Sequence, residues 1–168
     1  VSGIFQQAML NPMLGRLWTT AAPTTFANLS ADTINVALFN NTTAPDKTAA
    51  VGSTGFNTGT WTTTNEVTDV TNWVSGGRAL GTKTFAIDTG SSSVCFSGAN
   101  LAGGGNVTLA NVFGCFVYDS TITAGTVAKQ GLCFNYFGGA QGVTAGTFTI
   151  LWPTPAGGAV TAVFNVTV

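Results

Sequence analysis

Histidine is absent from all 168 residues, and formal charge is confined to five basic and six acidic side chains. Charged residues make up 7% of the chain, against about 25% in a typical soluble domain. Without imidazole there is no His-based catalytic triad, no His-ligated metal centre and no His pH switch. A net charge of -1 gives no basic footprint for nucleic acid. Long apolar runs are missing too: the longest, near 112–118, is far short of the roughly 20 residues that span a bilayer. The opening VSGIFQQAML lacks the basic start and unbroken apolar stretch of a signal peptide. The three cysteines, Cys95, Cys115 and Cys133, form an odd set without C-x-x-C spacing. That count favours free, buried thiols over a disulfide framework. What the chain does contain is 45% hydrophobic residues, 22 Gly and 29 Thr. The expected product is one compact domain whose polar surface is built from hydroxyls and amides, not a disordered chain.

Helical periodicity occurs only near the N-terminus. Ile4, Phe5, Met9, Leu10, Met13, Leu14, Leu17 and Trp18 recur at three- and four-residue spacings. Asn11-Pro12 interrupts them as an N-cap followed by a first-turn proline. The reading is an arm over residues 1–30 with short helical turns, followed by a single β domain over 31–168. A stripe alone does not name what it packs on, so these residues either close the domain's own core or contact a neighbour.

From residue 34 on, the pattern is β. Ile34, Val36 and Leu38 alternate over 34–39, and residues 40–64 form a long Thr/Gly/Asn-rich connection holding Phe56 and Trp61. Both aromatics are candidate anchors, either to the domain or beneath another subunit. Further strands are expected over 79–88, 93–97, 111–118, 127–137, 147–152 and 160–168, separated by glycine-rich turns that include Gly138-Gly139. In the first of these, Lys83, Phe85 and Ile87 lie opposite Leu80, Thr82, Thr84 and Ala86. Seven or eight short strands with almost no helix define an all-β fold, a β-sandwich or jelly-roll-like domain.

Constellations for catalysis are sparse. Glu66 and Asp69 are close in sequence, but no base, nucleophile or metal set accompanies them, so a solvated loop or a turn cap is the simpler role. Gly103-Gly104-Gly105 lacks the lysine and spacing of a phosphate loop. No cofactor or metal is expected. Five Asn-x-Ser/Thr sequons occur, at Asn28, Asn40, Asn41, Asn106 and Asn165, a number only modestly above chance in a chain so rich in Thr.

One set of motifs does carry a resemblance. Asn65-Glu66-Val67-Thr68 is followed by Gly76-Gly77-Arg78-Ala79-Leu80, Lys83-Thr84-Phe85, Asn111-Val112 and Val117-Tyr118-Asp119. A closing Gly146-Thr147-Phe148-Thr149-Ile150-Leu151-Trp152 precedes an apolar terminal segment. In this order the motifs resemble small structural proteins of tailed bacteriophages, of the head decoration or minor capsid type, over residues 34–168. The resemblance implies a virion component assembled in the host bacterial cytoplasm, with no catalytic residues to transfer. Its expected partners are the major capsid protein and copies of itself, as a homotrimer or other symmetric oligomer, without nucleic acid or membrane. A tail subunit (tube, terminator or fibre base) is the alternative within the virion. A secreted adhesin or carbohydrate-binding β-sandwich is the alternative outside it. The candidate contact residues are the arm stripe together with Phe56 and Trp61.

Overall fold

The computed structural model describes residues 3–4 (backbone), 28–29, 31–124 and 127–167. Ten strands appear in chain order: β1 (Gly3–Ile4), β2 (Ile34–Phe39), β3 (Arg78–Ala79), β4 (Thr84–Asp88) and β5 (Ser93–Ser97), then β6 (Leu101–Ala102), β7 (Val107–Asp119), β8 (Gly131–Gly146), β9 (Thr149–Ile150) and β10 (Phe164–Thr167). Among the described residues one 3₁₀ turn occurs, at Val51–Ser53. The fold is all-β and sandwich-like, as the sequence pattern requires. The main sheet runs β1-β8-β7-β2-β3, a smaller one runs β10-β5-β4, and β6 pairs with β9. Every strand pairing is antiparallel.

The helical turns expected near the N-terminus need one correction. Ile4 is paired as strand with Cys133, and Gly3 with Phe134. Phe5, Met9, Leu10, Met13, Leu14, Leu17 and Trp18 lie outside the described residues.

Strand β2 is the centre of the core. It pairs with β7 from Ile34↔Asp119 to Phe39↔Gly114, and with β3 on its other side. Alternation predicts one buried face, yet Ala37 and Phe39 are as fully buried as Ile34 and Val36. The second face is covered by the connection that follows β2. Trp61 stacks on Phe116 at 4.3 Å and meets Phe39 edge-on at 5.2 Å, while Phe56 stacks on Tyr118 at 4.7 Å. Backbone bonds fix this loop in place, with Phe56 N–H donating to Lys129 O at 2.9 Å and Gly131 N–H donating to Thr54 O at 2.9 Å. Phe56 and Trp61 therefore pin the loop to their own domain; as candidates for contact with a second molecule they are corrected by their burial.

Other boundaries moved for local reasons. The expected 79–88 strand is two strands in two sheets, divided where Thr82 takes φ 47°. A left-handed residue turns the chain out of one ladder and into the next. The expected Gly138-Gly139 loop lies inside β8, which stays paired with β7 as far as Val107↔Gly146. Several register shifts absorb the irregularity, and Gly138 takes φ 83° there. Over 147–152 only Thr149–Ile150 is strand, but Phe148, Ile150 and Trp152 are buried on one face as the alternation predicts. Over 160–168 the strand shortens to β10, and adjacent Ala162 and Val163 are both buried, so the alternation there fails.

Candidate interaction surface

Three of the motifs that carry the resemblance, those holding Glu66, Gly76-Gly77 and Tyr118, meet at one joint. Glu66 accepts the Ser75 hydroxyl at 2.7 Å and the Gly76 N–H at 2.8 Å. Tyr118 donates to Gly76 O at 2.7 Å, and Asn35 Nδ2 donates to the same oxygen at 3.2 Å. Gly77, at φ 72°, lies so close to β2 that a Cβ would strike Val36 O. Burial raises the pKa of Glu66, although Ser75, Gly76 and the charge of Lys129 pull it down. Burial likewise raises that of Tyr118. Asp69 caps a separate turn, accepting the N–H groups of Thr71 and Asn72, each at 3.0 Å. Each of the two carboxylates thus serves its own turn. Among the described residues no group of three or more Cys, Asp or Glu side chains could hold a metal ion.

The cysteines are free and buried. Burial pushes the Cys115 thiol up to about 12 and raises those of Cys95 and Cys133. A thiol so far from ionising is a poor nucleophile. All three therefore act as small core residues.

The unusual surface belongs to the small sheet. Its register aligns Phe85, Phe96 and Phe164 in one row across three strands, and Ile87, Val94 and Val166 in a second. Directly paired residues share a face, so these six apolar side chains form one continuous surface. The Phe96 ring lies 6.0 Å from Phe85 and 5.3 Å from Phe164. Phe96 belongs to the buried core, yet Phe85 is 52% exposed and Ile87 77% exposed. The opposite face carries Asp88, Ser93, Cys95 and Ser97, all buried. Residues 153–163 cover it. Asp88 accepts the N–H groups of Ala159 and Val160, and Ser97 donates its hydroxyl to Thr161 O. Burial works to raise the pKa of Asp88, but Val160, Ser91, Ala159 and Gly90 together hold it below the usual value. Part of the polar face is thus closed while the β4 edge of the apolar face is left open.

The alternation over 79–88 does place Phe85 and Ile87 together. Which face the chain would later cover is decided by residues some seventy positions away, and no local pattern carries that. Of the contact residues expected from sequence, Phe56 and Trp61 are in the core and Ile4 is in β1 beside β8. Comparison with known proteins finds no matching family model, no similar curated protein and no similar solved structure.

Proposed function

We propose that this chain is a non-enzymatic structural subunit of a bacteriophage virion, a decoration or cement protein that binds the outside of the head. The observation that carries the reading is the open apolar edge of the small sheet, Phe85 and Ile87, on a nearly uncharged β domain. Its two rows contain no charged side chain, so the face is complementary to itself, and a second copy of the chain fits it. Charge depletion of this kind is the mark of an interface centre. The whole face of three strands and five residues measures about 14 by 17 Å at ordinary strand spacings. Only its β4 edge, with Phe85 and Ile87, is open, well below the roughly 800 Å² per partner of a stable isolated dimer. A contact of this size serves a subunit held at many points in a shell, where weak contacts add through multivalency. The motif order over 34–168 supports the same reading, because three of its motifs are spent on one structural joint.

The test is localisation in the particle that contains the chain. Labelled protein on the head, in copy number near that of the capsid protein, supports the assignment. Labelling of the tail selects the alternative virion reading. Deletion of residues 1–18 probes the arm: lower occupancy or heat resistance of the particles is expected, and unchanged values refute a role for it. For the sheet face, Ile87→Lys is expected to lower occupancy of the protein on the particle while leaving the unfolding midpoint nearly unchanged.

A further inference from the structure

Two carboxylates meet at the end of β7 without a donor between them. Asp119 closes β7 directly opposite Ile34, the first residue of β2. It is fully buried. Its Oδ1 accepts the Thr121 N–H at 2.9 Å, whereas its Oδ2 is buried with no hydrogen-bond partner. Asp32, two residues before β2, interacts with the Asp119 carboxyl by charge and by a side-chain hydrogen bond. One Asp32 oxygen accepts the Asn28 N–H at 2.6 Å. Around the pair the two segments are laced together. Ser120 donates both N–H and hydroxyl to Thr33 O, at 2.9 and 2.8 Å, and Thr33 N–H donates to Thr121 Oγ1 at 2.8 Å.

We propose that Asp119 holds a proton and donates it to the Asp32 carboxylate, and that this proton fastens residues 28–29 and 31–33 to the end of β7, so that the joint is closed in acid and loosens toward neutral pH. Two carboxylates in a buried site cannot both ionise without mutual repulsion, and a hydrogen bond between them requires a proton on one. Among the described residues the surroundings offer no substitute. Asp32 is the charged group that acts on Asp119, the Thr121 and Ile122 N–H groups are neutral donors, and Gln130, whose carbonyl receives the Asp119 N–H, is uncharged. Burial, reinforced by the charge of Asp32, pushes Asp119 up to about 6. A carboxyl raised in the folded state gives stability that is complete below its unfolded value, near 4. That stability is lost as pH rises through about 6. The lock is a property of this chain alone and stands or falls separately from the virion reading.

Hydrogen exchange of the full-length protein tests it at the Thr33 and Ser120 amides, which bond across the joint. After correction for intrinsic exchange, their protection should fall about tenfold per pH unit between about 4 and about 6, the slope of a single proton, and level off above that. Core amides such as Leu38 should show no such fall. Asp119→Asn supplies a permanent donor facing Asp32, so protection in that variant should be independent of pH. Asp32→Asn should behave in the same way, and serves if the first variant folds poorly. PH-independent protection in the wild type, or pH dependence that persists in the folded variants, overturns the proposal. Restoration of wild-type protection at pH 7.5 by calcium or magnesium alone also overturns it, because the pair would then hold a cation.

Discussion

Gly77 shows how much of this chain rests on single residues without chemistry. Its left-handed φ and its contact with the β2 backbone leave no room for a side chain, and strain of this kind costs about 1–3 kcal/mol before any clash. Gly77→Ala should therefore lower unfolding stability in denaturant by at least about 2 kcal/mol. Trp61 is a second such position. Truncation of a buried Trp to Ala costs about 3–5 kcal/mol, and here it also frees the loop that roofs β2. Trp61→Ala should fall in that range and expose 40–64 to limited proteolysis, whereas a residue used only for contact between subunits would leave the monomer's stability unchanged. The buried thiols should resist alkylation in the native protein and react on unfolding, which mass spectrometry reads directly.

At the scale of elements, legibility followed how local the cause was. Strands β2 and β5 were readable to the residue, because a short apolar run bounded by turn residues is a complete local signal. The break between β3 and β4 was not, since it depends on a left-handed Thr82 where glycine is the usual signal. Nor was the extension of β8 through Gly138-Gly139. Glycine normally marks a turn, but a partner strand with compensating bulges carries it through the ladder. Phe56 and Trp61 were recognisable as anchors, though not what they anchor to. The open sheet face was half legible: the alternation grouped Phe85 with Ile87, while its exposure depends on how residues 153–163 cover the other side. Asp88→Asn weakens the hold on that covering segment by replacing a charged acceptor with a neutral one. The expected result is faster amide exchange at Ala159 and Val160, with β2 unaffected.

Taken as a whole molecule, the domain keeps its few charges for capping and turn-holding and builds the rest from hydroxyls, amides and aromatic rings. Glu66, Asp69 and Asp88 each serve a turn or a covering segment. Added salt should then change the thermal midpoint little, because no described ion pair is available to screen. Differential scanning calorimetry across a salt series checks this.

The pairing of β10 with β5 sets the order in which the molecule can be made. Ser93 pairs locally with Asp88 but finds its second partner only at Thr167, and Ile34 finds its own at Asp119. During synthesis β5 must wait for some seventy further residues to leave the ribosome before its sheet can close. Until then Phe96 lacks Phe164 beside it, and Asp88 lacks the Ala159 and Val160 amides. At about 5–20 residues per second that interval lasts several seconds, longer than the helical and hairpin steps that guide more local folds. This architecture commits late, and the nascent chain spends its most exposed moments with its apolar strands already made and their partners still to come.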